Sequence, residues 1–223
     1  MAIVFDNAST ATGAAANSVQ WTHTATGANL YAVLAGVNDS VSISAAGYNG
    51  VAMTAKAFVV ATGGAGGKMF EAQNAAAGDV TISAVLNGAG TDAFVFGAMT
   101  YTGVAQSGAS GNASTATGAA STLHQISLST TANAVMIGFL GGRSITALTV
   151  TTPLGQNARF AVSNAPHFLT GCDETATGSS SSMSWSTSGS IAFFKMAVAV
   201  SATAEEAPVG GGIFTLTQLG VGQ

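Results

Sequence analysis

Three histidines, one cysteine and nine acidic side chains are the groups in this 223-residue chain that could move protons, attack a substrate or hold a metal. His23, His124 and His167 lie far apart, and none has a second His or a Cys at the short spacing a zinc site uses, so strand-face or surface positions are expected for all three. Cys172-Asp173-Glu174 is the densest polar cluster, and with loop carbonyls it could hold calcium, which accepts oxygen ligands in flexible geometry. Two adjacent acids are more commonly a solvated turn, which is the expectation here. A Cys172 nucleophile would need an imidazole to take its proton, and His167 is near it only in sequence. Gly63-Gly64-Ala65-Gly66-Gly67-Lys68 has the look of a phosphate-cradling loop, yet Thr62 stands where the first glycine belongs and Met69 where a magnesium-binding hydroxyl is needed. A hairpin loop is expected instead. Hydrolysis of a sugar bond needs two carboxylates facing each other across the ring; Asp39, Glu71, Asp79 and Asp92 are available, and no pair among them stands out. Trp21 and Trp185 could stack on a sugar if exposed, although burial in a core is the commoner fate of such a side chain. The sequence assigns no catalytic, cofactor-binding or metal-binding residue, and enzymatic activity is not expected.

The elements that must carry these residues are strands. Apolar residues make up 48% of the chain, much of it Ala and Val, while charged residues make up only 6%, far below the roughly 25% of an ordinary soluble protein. The surface is therefore expected to be coated with Ser, Thr, Asn, Gln and backbone, and a surface so short of charge permits self-association. Disorder is disfavoured, because disordered chains combine low hydrophobicity with high net charge, and the net charge here is −4. The five basic residues, Lys56, Lys68, Arg143, Arg159 and Lys195, are scattered, which argues against nucleic acid and against anionic membrane surfaces as partners. No basic-then-apolar leader and no long apolar span is visible, and the single Cys172 fits a reducing compartment.

Alternation of apolar and polar residues is plain in Asp79-Val80-Thr81-Ile82-Ser83-Ala84-Val85 and in Thr122-Leu123-His124-Gln125-Ile126-Ser127-Leu128. Asn49-Gly50 marks a tight turn, because both residues tolerate positive φ. Strands are expected near 18–24, 29–37, 40–46, 55–61, 68–73, 79–86 and 93–103, and again near 123–129, 134–141, 147–152, 159–163, 167–170, 182–188 and 191–201. The fold class read from this pattern is all-β, an antiparallel, jelly-roll-like β-sandwich in two repeated seven-strand halves.

A repeat supports the halves. Asn7-Ala8-Ser9-Thr10-Ala11-Thr12-Gly13-Ala14-Ala15 recurs letter for letter as Asn112-Ala113-Ser114-Thr115-Ala116-Thr117-Gly118-Ala119-Ala120. Residues 1–105 are read as the first half, 106–121 as a Gly/Ser/Thr-rich connection, 122–203 as the second half and 204–223 as a hinged C-terminal arm. In that arm a glycine run precedes the strand-like Ile213-Phe214-Thr215-Leu216-Thr217. Ile213, Phe214, Leu216 and Leu219 are its candidate subunit contacts, docking either on the arm's own sandwich or on a neighbour by strand addition.

The series Val19-Gln20-Trp21-Thr22-His23-Thr24, then Asn29–Val37, then Tyr48-Asn49-Gly50-Val51-Ala52-Met53-Thr54 resembles a loose group of bacteriophage-encoded β-sandwich virion proteins with a related second half. The resemblance covers most of residues 1–202 and rests on core and turn positions, so it speaks to fold more than to role. It implies a structural protein, made in the host cytoplasm and incorporated in the virion. Such a protein would decorate the capsid or belong to the tail or a fibre, with other copies of itself and other virion proteins as partners. The alternative reading is a carbohydrate-binding module or adhesin that uses Trp21 or Trp185 to recognise surface glycans.

Overall fold

The computed structural model describes residues 2–14, 16–39, 43–61, 65–87, 93–108, 110–144 and 149–203. The first half is built from β1 (Val4–Ala14), β2 (Ser18–Ala25), β3 (Leu30–Asp39), β4 (Ile43–Tyr48), β5 (Val51–Ala52), β6 (Thr54–Val60), β7 (Ala65–Ala75), β8 (Gly78–Leu86) and β9 (Ala93–Thr102). β1 pairs with β9, β2 with β8, β3 with β7 and β4 with β5, all antiparallel. This is a ribbon of strands going out and coming back, rolled so that β1 to β4 fall alternately in two facing sheets and β7 to β9 return alternately to them, as in a jelly roll. One sheet has the order β1-β9-β3-β7-β6 and the other β2-β8-β4-β5. The expected Asn49-Gly50 turn joins β4 to β5, with φ of 51° and 78°.

The second half follows the same path with fewer, longer strands: β10 (Ser110–Ser129), β11 (Val135–Arg143), β12 (Val150–Thr151), β13 (Asn157–Asn164), β14 (His167–Thr175) and β15 (Ser180–Val200). The lower part of β10 pairs with the end of β15, as β1 does with β9, and its upper part pairs with the start of β15, as β2 does with β8. β11 lies between β14 and β15, β12 lies on β15, and β13 closes the far edge on β14. The same irregularity recurs as well. β6 bulges against β7 between Ala55 and Ala57, and β13 bulges against β14 between Ala158 and Phe160, so Lys56 and Arg159 are the extra residues of matching bulges.

The two halves share a core. Tyr31, Val33, Met69, Val95, Met99 and Tyr101 of the first half form one buried cluster with Ile137, Phe139, Leu169, Phe194, Met196 and Val198 of the second. Each half also has its own core, the first around Leu34, Phe70, Ile82 and Phe96, the second around Leu140, Cys172, Met183 and Trp185. Across the shared core β1 packs over β13 and β10 over β6; β9 meets β13 and β14 as β15 meets β6 and β7; β3 and β11 meet each other. Exchanging the halves maps this contact set onto itself, so the interface has the form of a two-fold subunit interface inside one chain.

Two expectations change. The sequence placed Gln106–Ser121 as a connection, but from Ser110 onward it runs in β10, and its twin at Asn7–Ala14 runs in β1. Small residues masked both strands: with only Ala, Ser, Thr, Asn and Gly there is little hydrophobic alternation to read. Among the described residues seven strands per half also becomes nine and six, because β1 and the short β5 add strands in the first half, while in the second β15 runs through two predicted segments and β10 joins the expected connection to the first of them. The arm, with Ile213, Phe214, Leu216 and Leu219, lies outside the described residues.

Candidate functional site

The most developed polar arrangement lies at the corner where β1, β2 and β9 meet. Trp21 and His23 alternate with exposed Gln20, Thr22 and Thr24 on β2 and so turn towards β1 and the core. The Trp21 indole N–H donates to Ser9 Oγ at 2.9 Å, and Ser9 Oγ lies 2.7 Å from His23 Nδ1. On the other side of the ring His23 Nε2 is 3.0 Å from Thr100 Oγ1, and Thr100 donates to Asp6 Oδ2 at 3.0 Å. The fixed donor at Trp21 and the acceptor at Asp6 set the direction of the chain: Ser9 donates to Nδ1, and Nε2–H donates to Thr100. Every member is satisfied with a neutral imidazole. Burial lowers the His23 pKa below the ordinary histidine value, against a smaller upward pull from Asp6.

A serine within hydrogen-bond reach of a histidine that is itself oriented is also the signature of an activated nucleophile. Here Ser9 Oγ already accepts from Trp21, His23 is fully buried, and the cavities described below are lined by other residues. What the arrangement does visibly is tie three strands of two sheets together.

The second half places its histidine differently. His124, fully buried, has Nε2 3.0 Å from Thr187 Oγ1, which in turn donates to Gly189 O at 2.8 Å, while Nδ1 has no hydrogen-bond partner. The Phe193 ring stands edge-on at 3.9 Å between centroids. Burial, with the nearby Lys195 as second cause, pulls the His124 pKa down to about 4. His167 is buried too: of the strand-face or surface positions expected from sequence, all three histidines take strand positions, in β2, β10 and β14, and none is at the surface. Cys172-Asp173-Glu174 is likewise no turn: it runs in β14 with Cys172 and Asp173 buried. Burial pushes the Cys172 thiol well up, and the Trp185 indole N–H beside it only partly offsets this, so the sulfur is held as a thiol. Trp185 is fully buried and is removed as a glycan-stacking residue, whereas Trp21 is half-buried and packs at a tilt on Phe96.

Matching acid–base centres flank the shared core. Glu71 accepts from Tyr31 Oη at 2.7 Å and pairs with Lys56 Nζ at 3.3 Å. Asp173 accepts from Arg159 Nε at 2.7 Å and Nη2 at 2.9 Å, from Asn157 at 3.1 Å, and from Tyr101 of the other half at 2.9 Å. Arg159 also lies over the Phe5 ring, 4.0 Å from its centroid, a second contact between the halves. Burial, reinforced by the adjacent carboxylates, raises both tyrosine pKa values well above the usual range. Sequence reasoning missed these centres. The signal was there in the pairs Lys56/Glu71 and Arg159/Asp173, fifteen and fourteen residues apart, but only the bulge register shows that they correspond.

Lys68 of the glycine-rich stretch lies in β7 over the Phe70 ring, and residues 62–64 lie outside the described residues. Among the described residues no group of three or more His, Cys, Asp or Glu is placed to hold a metal ion, and no helix is long and apolar enough to cross a membrane. A half-open cavity of about 620 Å³ lies at the foot of the sandwich, lined by Ile3, Thr131, Asn133, Val135, Thr175 and Ser201. A smaller one of about 110 Å³ is lined by Val150, Val162, Phe168 and Thr170 among others. Neither gathers titratable side chains. Comparison with protein-family models, with curated proteins and with solved structures finds no match for this chain.

Proposed function

We propose that this chain is a structural protein of a bacteriophage particle, acting by protein–protein contact as a capsid decoration protein or a tail or fibre component, and not as a catalyst. The observation that carries the reading is the shared core: one face of each sandwich packs on the corresponding face of a related sandwich through a two-fold set of contacts. A sheet that already packs on a near-copy of itself is suited to packing on further copies. Support also comes from the charge content of 6%, which leaves little electrostatic opposition to close approach, and from the likeness of the Trp21–His23 and Tyr48–Thr54 segments to phage virion proteins. The buried carboxylates Glu71 and Asp173 are committed to internal partners. Immunogold electron microscopy and mass spectrometry of particles purified from the source test the proposal. The protein is expected in stoichiometric amount at one location on the particle, and its absence from intact particles overturns the reading.

The second reading, a glycan-binding module, keeps one observation in its favour, the partly accessible Trp21 ring. Binding on a glycan array that Trp21→Ala abolishes while the thermal transition persists selects it.

A further inference from the structure

The repeated nonapeptide occupies equivalent edges of the molecule. Asn7–Ala14 lies in β1, the edge of its sheet, and residues 112–120 lie in β10, the edge of the other. Among the described residues, no strand pairs with either on its outer side. The paired registers also coincide: Ala8 opposes Met99 and Gly13 opposes Phe94, as Ala113 opposes Val198 and Gly118 opposes Phe193.

Internal packing explains part of the identity. Ala8 and Ala113 both lie against the shared core. A Cβ on Gly13 would come within 2.4 Å of the Phe94 ring, and one on Gly118 within 2.3 Å of the Phe193 ring. In the first half Asn7 also bonds Thr24 O and the Ala8 N–H, and Ala11 packs on that half's own core, but the remaining positions have no reason shared by both halves. Ser9 bonds His23 and Trp21, but their counterparts at the same offset are Leu128 and Ile126, so Ser114 has no matching network to serve. Thr10, Thr12, Thr115 and Thr117 are exposed. Identity retained at exposed positions, in halves that differ almost everywhere else, points to one contact made twice.

The neighbouring edges sharpen the point. β6 and β13, stacked against β10 and β1, each carry a bulge with a basic residue, the devices that discourage strand addition. β1 and β10 bulge as well, β1 at Asp6 and β10 on either side of the repeat, but between those bulges, over Asn7–Ala14 and Ala113–Gly118, the register runs without a break and the stretches contain neither charge nor proline. A strand added there would extend a sheet whose inner face already forms the interface between the halves, so the new contact would continue an existing one.

We infer that β1 and β10 are two copies of one docking edge, and that each pairs antiparallel with the same edge of a second copy of this chain. The inference rests on the assembly reading above and names its interface. Two edges per chain make assembly open-ended, and removing one limits it to pairs.

The test uses the full chain with Thr10→Lys/Thr12→Lys, with Thr115→Lys/Thr117→Lys, with all four changes, and with truncation after Thr203. Mass photometry gives size, and near-ultraviolet circular dichroism confirms the fold. The wild type is expected to form a ladder of species, each single-edge variant to stop at two copies, the fourfold variant to fall to the single-chain mass, and the truncation to leave the ladder intact. A ladder unchanged in the folded fourfold variant overturns the edge proposal while leaving the assembly reading standing. Loss of the ladder on truncation alone overturns it in favour of the C-terminal segment as the occupant. A wild type that stays single at every concentration, alone and with particles, sinks the assembly reading itself. Should the lysine variants fail to fold, hydrogen exchange on the wild type decides: slower exchange in β1 and β10 on assembly is expected, and unchanged exchange there refutes the proposal.

Discussion

The two halves of this molecule share their strand pairings, a bulge and the contacts of a common core, yet their buried polar groups are arranged differently. In the first half His23 is joined through Ser9, Thr100 and Trp21 into a chain in which every donor has an acceptor. In the second half His124 keeps a bare Nδ1 against the Phe193 ring. Backbone pairing and small-to-large packing therefore specify the sandwich, and the polar groups inside it have been fitted to each half separately. The ion pairs are the exception. Lys56–Glu71 and Arg159–Asp173 stand on matching bulges, and both carboxylates also accept a tyrosine hydroxyl, from the same half at Glu71 and from the opposite half at Asp173.

Variants can break or sharpen this comparison. The largest effect is expected at the shared core, where Phe194 is fully buried and its ring lies over both Gly67 and Gly141. Phe194→Ala should cost about 3–5 kcal/mol, as for other large aromatic truncations in a core. Calorimetry should show one transition moving down as a unit; two separate transitions would mean that the halves fold independently.

The ion pairs come next. Arg159 makes two bonds to a carboxylate whose side chain is only 4% exposed, so Arg159→Met should destabilise by roughly 2–4 kcal/mol by leaving Asp173 short of its partner. Lys56 makes one longer contact, at 3.3 Å, and Lys56→Met should cost only about 1 kcal/mol. Equal losses in denaturant titrations would contradict the reading that the ion pair whose carboxylate also binds Tyr101 of the other half is the stronger.

The histidines give a pH dependence of definite sign. The folded pKa of His124 is depressed to about 4, so below the ordinary value of 6.5 the unfolded chain binds a proton that the folded chain refuses. Its contribution is constant above that value and is lost as pH falls through this window. Relative to His124→Gln, the wild type should lose roughly 2–3 kcal/mol between pH 6.5 and pH 4. Parallel stability curves for the two proteins would show that the imidazole is not buried as described.

The smallest contrast separates identical residues in matching places. Ser9→Ala strips partners from both Trp21 and His23 and should cost about 1–2 kcal/mol, whereas Ser114→Ala should stay within about 0.5 kcal/mol. The pair of thermal melts checks it.

Much of the fold was legible in the sequence because apolar–polar alternation reports a half-buried strand directly. Val80, Ile82 and Ala84 in β8 and Ile126 and Leu128 in β10 show it, all buried, whereas Val85 and Leu123 are exposed and His124 takes the buried place beside Leu123. β1 and the lower part of β10 were illegible for a physical reason. They pack Ala and Gly under aromatic rings such as Phe94 and Phe193, and the hydrophobic signal lies in the ring, about eighty residues downstream. The polar centres were hidden for a similar reason. Ser9 and His23 are fourteen residues apart and Thr100 lies seventy-seven beyond His23, a proximity that only the rolled pairing of β1, β2 and β9 creates. The exposure of a tryptophan was also beyond composition: Trp21 and Trp185 sit in similar alternating contexts, yet one is half-buried and the other fully enclosed.

The most direct test of the central claim, that this sandwich works by joining to like sandwiches, is sedimentation equilibrium of the purified wild-type chain over a wide concentration range. A reversible rise in mass with concentration, weakly dependent on salt because few charges are involved, is the predicted result. A constant single-chain mass at every concentration would contradict it.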